Sequence, residues 1–535
     1  MIEKVAVRNY RLFRTLDLAF SPGMNILVGA NDTGKSTLIE AITLALTGRL
    51  HARPLIQELS PYLINLNATR DYVAKLQAGT SPPPTPPELI VEVFLRGSNE
   101  TEILRGTNNL AGEDACGLRL QATLSPDFYA EYQAFVAEPA NVKLVPTEYY
   151  RVDWVGFSGN AVTARSVPAA ASVIDSTAMR LQPGVDFHLQ QIIRTHLEPR
   201  ERVELSRQYR SLREEFSEKP AVKKINKRLE GDSADLSDRH LSLSIDLSQR
   251  NTWESGLVAH LDEIPFPFIG KGEQNTLKTL LAIDRRTEDV HIVLIEEPEI
   301  HLSFASLRRL LPRIEAACGD KQVIVATHST YVLNKLGLQN LVLLGEGGST
   351  TRITDVPADT VEYFKKLAGF DTLRLVLAAG AILVEGPSDE LVVQRAYRDT
   401  RGKLPIDDGI DVISVGLSHK RFLDLAVRLN RRAWVVTDND GKTLEQIRER
   451  FAPYLDSPVV SLHVGADPSV KTLEAQIVAA NDLATLNRVL VRDYQSAEEA
   501  LASMLSDKTG TALSIFESEH SITMPAYIQS VVHEQ

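Results

Sequence analysis

Residues Gly29–Thr37 read GANDTGKST, and their setting constrains the fold more than any other feature. Met24–Val28, MNILV, is a short apolar run that suits a buried strand, and Leu38–Thr47 carries a helical pattern. Between strand and helix, a loop of this composition can turn its backbone N–H groups inward around phosphate. Gly29 and Gly34 permit the tight turn, and Asn31 and Thr37 belong to the same loop. Lys35 is placed to reach β- and γ-phosphates, and Ser36 to ligate Mg²⁺. This is a complete Walker A loop, so ATP is the expected cofactor.

A second motif agrees with the first. His291–Leu302, HIVLIEEPEIHL, is an apolar strand ending in two carboxylates. Glu296 is expected to support Mg²⁺, and Glu297 to polarise the attacking water. His301 reads as a structural histidine. Phe268–Asn275, FIGKGEQN, resembles the signature motif of ABC ATPases, with Gly270 and Gly272 as nucleotide contacts. It departs from LSGGQ: Gly270 replaces the serine, Lys271 the first glycine and Glu273 the glutamine. The resemblance therefore implies nucleotide binding more strongly than fast turnover. Val323–Thr330, VIVATHST, puts His328 where ABC ATPases keep a switch histidine. In those proteins the signature of one head meets the nucleotide of another, so one head per chain implies a homodimer or higher oligomer. The opening VRNYRLF resembles the start of SMC-like and RecF-like proteins, which act on DNA.

Bulk properties narrow the setting. The chain has 535 residues, 43% hydrophobic, enough for several packed domains. A net charge of −12 excludes a uniformly basic nucleic-acid coat, but not a local DNA-binding patch. Cys116 and Cys318 are the only cysteines, which excludes a disulfide framework or a CxxC zinc site and suggests a cytoplasmic protein. No apolar run reaches the roughly 20 residues that span a bilayer, so no membrane partner is expected.

Periodicity divides the chain into an α/β ATPase, residues 1–180 and 246–350, interrupted by a helical insertion at 181–245. A second α/β unit with a parallel sheet follows at 370–535. In Phe187–Leu229, Leu205, Tyr209, Leu212 and Phe216 recur at helical spacing, as do Val222, Ile225 and Leu229. This resembles a short heptad seam, a candidate contact between protomers. Ser81–Pro87, SPPPTPP, reads as a loop. A polar joint is expected near Gly345–Asp359. Strands are expected at Ala381–Val384, Asp411–Val415 and Ala433–Val436.

Two acidic motifs stand at the ends of those strands. Ile382–Glu390, ILVEGPSDE, supplies Glu385 and Asp389; Val435–Gly441, VVTDNDG, supplies Asp438 and Asp440. Carboxylates crowd together stably only when cations neutralise them, and hard oxygens suit Mg²⁺ or Mn²⁺. The order of these motifs resembles a Toprim domain. There the Glu serves acid–base work or metal binding, and the Asp pair holds metal. An ABC ATPase followed by Toprim resembles the overcoming-lysogenization-defect (OLD) nucleases. That resemblance implies Glu474, in KTLEAQI, as a further metal ligand and Lys508, in SDKTGTALSIFE, as a catalytic cation. It implies a two-metal DNA endonuclease, with cations about 3.5–4 Å apart. It also implies antiphage defence, since nuclease subunits of Gabija-type systems belong here and often partner a UvrD-like helicase. His419, Lys420, Arg421, Arg428, Arg431 and Arg432 are candidate phosphate contacts, as are Lys223, Lys224, Lys227 and Arg228. Two rivals remain: an SMC- or RecF-like repair ATPase with a non-catalytic Toprim unit, and an ATP-gated scaffold for an effector.

Overall fold

A computed structural model describes residues 1–51, 53–80, 82–163, 166–168, 171–175, 197–233, 253, 260–283, 290–353, 356–366 and 372–534. The chain divides into two compact units, Met1–Pro168 with Ile324–Gln535, and Ala169–Val323.

The first unit opens with an antiparallel sheet. Ile2–Tyr10 lies between Phe13–Ala19 and Leu89–Leu95, and Ala115–Leu124 follows beside Leu89–Leu95. Leu16 and Leu18 are buried and alternate with exposed Thr15, Asp17 and Ala19, whereas Val5, Ala6 and Val7 are buried in succession. Leu89–Leu95 is buried along its length, and its Glu92 is answered across the sheet by Arg119 at 3.3 Å. Met24–Val28 is wholly buried and runs parallel to Leu341–Leu344, which pairs antiparallel with Thr350–Arg352. That last strand corrects the expected joint at Gly345–Asp359, because pairing continues through its middle. Residues 354 and 355 of the joint lie outside the described residues, as does Ser81 of the proline-rich loop.

In the second unit, Ala171–Asp175 pairs in parallel with Ile292–Glu296, and the helix Phe304–Ala317 follows. The charged stretch forms two helices, Pro199–Glu218 and Pro220–Ser233. The first is opened by a reciprocal Glu198–Glu201 capping box and braced by an Arg210–Glu214 pair one turn apart. Val222 is buried, whereas Leu212, Phe216 and Ile225 are exposed. Residues 187–196 of the expected seam lie outside the described residues. Lys223 pairs with Glu218 at 2.5 Å, which commits one of the four basic side chains expected to meet phosphate.

The C-terminal part of the first unit has a four-stranded parallel sheet. Its order is Ile410–Ser414, Gly380–Val384, Arg432–Thr437, Val460–Val464. The fourth strand adds to the three read from sequence. A polar and aromatic joint docks this sheet. The helix Thr330–Leu336 begins just after His328, and its Asn334 accepts from Thr372 at 2.7 Å, both buried. From the same helix as Thr372, Arg374 reaches Asp411 and Glu390. Phe364 stacks edge-on against Phe422, and Arg421 pairs with Asp359. Among the described residues, no helix is long and apolar enough to cross a membrane.

Candidate functional site

The phosphate loop is held from behind. Met24–Val28 delivers Gly29, and the helix Lys35–Thr47 begins directly after Gly34. Gly34 has φ +97°, and a Cβ there would stand 2.5 Å from the Phe13 ring. A Cβ on Gly29 would meet Leu344 O at 2.6 Å. Both glycines are therefore required by close approach, and Gly34 by its backbone conformation as well. Lys35 is buried and donates to Gly29 O at 2.9 Å and Ala30 O at 3.1 Å. These are carbonyls of its own loop, so the ammonium lies over the cradle rather than out in solvent. Asn31 and Ser36 are exposed at the mouth, and Thr37 is half-buried. His328 is exposed just past the strand Gln322–Ala326.

In the second unit the acidic turn and the signature-like segment form one local assembly. Glu296 is buried at the end of its strand, and Glu297 follows with φ +49°. Gly270 precedes the helix Lys271–Ile283 and accepts from the Glu273 and Gln274 N–H groups. Gln274 donates to Phe266 O and Ile269 O, and Asn275 to Ile300 O. Gly272 lies against the turn so closely that a Cβ would be 2.3 Å from His301 O. Gly272→Ala is therefore expected to cost about 1–3 kcal/mol by overpacking. Thermal melting and ATP hydrolysis of the variant check this; unchanged values for both would reject the close approach.

The Toprim-like acids come to one edge of the parallel sheet. Glu385 follows Gly380–Val384 and accepts from Thr437 Oγ1. Asp389 lies in the first turn of the helix Pro387–Arg401 and accepts the Gly386 N–H at 2.9 Å. Asp438 follows Arg432–Thr437 and accepts the Leu473 N–H at 3.1 Å. Glu474 is buried in the first turn of Leu473–Ala480. Burial first, then the charges of Glu385 and Glu474, push the Asp389 carboxyl up to about 6. Burial, then Asp389 and Glu385, push Asp438 up to about 7. Asp440 differs: it is exposed on the turn with φ +50°, and it is in neither set of charges. Between the two aspartates, Asn439 is buried and pins the loop through Gly465 O, Asp467 O and Val470 O.

Lys508 Nζ stands 3.4 Å from Glu474 Oε2. That oxygen is buried and has no hydrogen bond, so the contact is an ion pair without hydrogen-bond alignment. As they stand, no three His, Cys, Asp or Glu side chains among the described residues are arranged to hold a metal ion. Three of the acids are instead held by separate donors, Glu385 by Thr437, Asp389 by the Gly386 N–H and Asp438 by the Leu473 N–H and Tyr527, while Glu474 faces Lys508 as an ion pair. Their chemistry nonetheless fits a hard divalent cation, with repelling carboxylates and a buried carboxylate oxygen lacking a hydrogen bond. Thr437, Asn439 and Tyr527 were missed by motif reading. Tyr527 donates to Asp438 Oδ1 at 3.4 Å.

The basic cluster corrects a sequence expectation. His419 is buried, and burial first, then the charge of Arg450, pushes it down to about 4. A neutral, enclosed imidazole does not meet phosphate. Arg421 is paired with Asp359, Arg428 with Asp424, and Arg432 with Glu534.

Family comparisons match three parts of the chain. An AAA-domain model covers residues 4–103. A second AAA-domain model, whose description also names the AbiEii toxin of Type IV TA systems, covers 192–334. The TOPRIM-domain model of overcoming lysogenization defect protein-like proteins covers 376–440, short of Glu474, Lys508 and Tyr527. The DNA double-strand break repair Rad50 ATPase of Methanopyrus kandleri is 49% identical over 49 residues, 9% of this chain and 6% of that protein. The DNA replication and repair protein RecF of Shigella dysenteriae serotype 1 is 49% identical over 41 residues, 8% of this chain and 12% of that protein. The chain thus spans only a small part of these relatives. An SMC head domain from Thermotoga maritima is 13% identical, covering 66% of this chain and 99% of that one, at a TM-score of 0.30, too low to carry an argument.

Proposed function

The chain joins AAA/ABC ATPase segments to an OLD-like Toprim domain, the domain arrangement of the OLD family, and on that premise we propose a nucleotide-regulated, divalent-metal-dependent DNA endonuclease. One observation carries the reading. Glu385, Asp389, Asp438 and Glu474 load one sheet edge with charge that the protein alone neutralises poorly, and Lys508 is the cation beside them. Glu385, Asp389, Asp438 and Glu474 would hold Mg²⁺ or Mn²⁺, with Asp440 available on the exposed turn. Bound cations would supply an activated water and charge neutralisation at the leaving oxygen. Thr437 orients Glu385, the Leu473 N–H orients Asp438, and Lys508 offers its ammonium to developing phosphate charge. DNA is the preferred substrate because the names of the Rad50 and RecF relatives concern DNA repair. Exposed Leu212, Phe216 and Ile225 support a homodimer through the helical insertion. Antiphage defence and a UvrD-like helicase partner rest on the family resemblance.

Nucleotide state is proposed to regulate cutting rather than power it, since phosphodiester hydrolysis is already downhill. The buried Asn334–Thr372 bond and the Arg374–Glu390 contact support a route from the helix after His328 to the helix bearing Asp389. Closure alters cutting only if open and closed assemblies differ in free energy of productive DNA binding or site formation. Lys35→Ala should lose ATP binding, whereas Glu297→Gln should bind without hydrolysing. The test is supercoiled-plasmid cleavage by wild type and both variants, with and without ATP, at fixed free Mg²⁺. ATP is expected to change wild-type cleavage and leave Lys35→Ala unmoved. Absence of metal-dependent cleavage throughout would reject the nuclease; cleavage identical in every condition would reject the coupling alone.

A further inference from the structure

Beneath the strand-end acids lies a hydrophobic core, and one polar atom within it meets them. Tyr527 sits in the helix Ala526–His533 and is 5% exposed. It packs in the cluster that holds Val384, Val436, Leu473 and Ile528. Its hydroxyl makes one hydrogen bond among the described residues, to Asp438 Oδ1 at 3.4 Å. The other oxygen, Asp438 Oδ2, takes the Leu473 N–H at 3.1 Å. The carboxylate is therefore held at both oxygens, by two elements far apart in sequence. The contact is long for a hydroxyl–carboxylate bond. It matters because a buried hydroxyl needs a partner and Asp438 is the one within reach.

The helix that carries Tyr527 is itself fastened to the sheet. Ser530 Oγ and His463 Nδ1 share a hydrogen bond of 2.7 Å. Glu534 accepts from Ser461 at 2.6 Å and from Arg432 at 3.3 Å. Ser461 and His463 belong to the strand Val460–Val464, and Arg432 begins the strand that ends before Asp438. Sliding or tilting of this helix would break these contacts, so the phenol is delivered to a defined place.

We propose that Tyr527 is a positioning residue for Asp438, and that the C-terminal helix is a working part of the metal site. The inference rests on the metal-dependent reading above. A phenol enclosed in apolar surroundings stays neutral and acts as a hydrogen-bond donor. It can hold one carboxylate oxygen in place while leaving lone pairs for a cation. Without it, Asp438 keeps only the Leu473 N–H, and binding a cation must first restrict a freer side chain. Removing a partner that orients a metal ligand typically costs 10–100-fold in metal affinity or activity.

The test titrates Mn²⁺ by calorimetry into full-length wild type, Tyr527→Phe, Ser530→Ala and Asp438→Asn, with thermal melts in chelator alongside. Tyr527→Phe keeps the ring and its packing. It should melt near wild type, weaken Mn²⁺ binding about tenfold or more, and regain plasmid cleavage in part at high Mn²⁺. Ser530→Ala loosens the same helix without removing the phenol, losing the Ser530 bonds to His463 and to Tyr527 O, and should weaken Mn²⁺ binding clearly less than Tyr527→Phe does. Wild-type affinity in Tyr527→Phe, with binding lost in Asp438→Asn, would overturn the positioning role and leave the site standing. Equal weakening in Tyr527→Phe and Ser530→Ala would also overturn it, marking general loosening of the helix. Unchanged Mn²⁺ binding in Asp438→Asn would overturn the metal-site reading itself.

Discussion

Asp438→Asn is expected to end metal-dependent cleavage and, in the presence of chelator, to raise the melting temperature. The two effects share one cause. In the folded, metal-free protein the Asp438 carboxyl is pushed up to about 7, first by burial and then by Asp389 and Glu385. In an unfolded chain an aspartate titrates near 3.9. A group whose folded pKa is raised is penalised when charged, so the fold gains from its proton. That gain is full below about pH 4 and is lost as pH rises through about 7. At pH 8 the aspartate is charged in both states, and the fold bears the whole penalty. Asparagine removes it and can still accept the Leu473 N–H. The expected gain is on the order of 1–3 kcal/mol at pH 8, falling toward zero near pH 4. It stays below the full shift because the repulsion between Asp438 and its neighbouring acids belongs to the group of carboxyls jointly, and their shared proton already relieves part of it in wild type. Saturating Mn²⁺ should reverse the order, stabilising wild type and leaving the variant unmoved. Melting curves at pH 5 and 8, with chelator and with Mn²⁺, test every part. A variant that cuts plasmid at the wild-type rate, or melts lower than wild type in chelator at pH 8, would reject the charged site.

The pattern of this site shows which information is local. Gly29 to Thr37 is contiguous, and the apolar strand before it and helix after it are local patterns, so the phosphate loop could be read directly. Glu385 and Asp438 stand after uninterrupted apolar strands, the signature of buried parallel pairing. Val460–Val464 was missed because Ser461 and His463 interrupt the apolar run, and the strand is only partly buried. His419 was misjudged as a surface cation because it was grouped with its neighbours by charge. Its helical spacing to Phe422, Leu423 and Ala426, all buried, places it on the inward face. Tyr527 carries no local signal: it meets Asp438 across 89 residues, through a helix whose place depends on the folded sheet. Asn439 lies inside a motif, but its role is not local: its side chain ties the turn between Asp438 and Asp440 to Gly465, Asp467 and Val470.

Lys508→Ala should slow cleavage by roughly 10²-fold or more without loss of metal binding. An ammonium is no ligand for a cation, but it can stabilise charge that develops on phosphate oxygens, and removing one such donor typically costs 10²–10³-fold. In the metal-free structure its partner is Glu474, whose side chain is 5% exposed while that of Lys508 is 50% exposed. The lysine side chain thus bridges a buried acid and solvent, where a DNA phosphate would approach. It also competes with any cation for Glu474. Removing it leaves that buried carboxylate without its partner, so the metal-free variant should melt slightly lower. Mn²⁺ should then bind at least as tightly as in wild type, because a cation becomes the remaining means of neutralising Glu474. Lys508→Arg separates charge from shape: it keeps the cation but not the point-like ammonium, and should recover part of the lost rate. Single-turnover cleavage at saturating Mn²⁺, beside calorimetry, distinguishes the roles. A rate per bound metal equal to wild type would remove Lys508 from the chemical step. Loss of Mn²⁺ binding in Lys508→Ala would make the lysine an organiser of Glu474 instead.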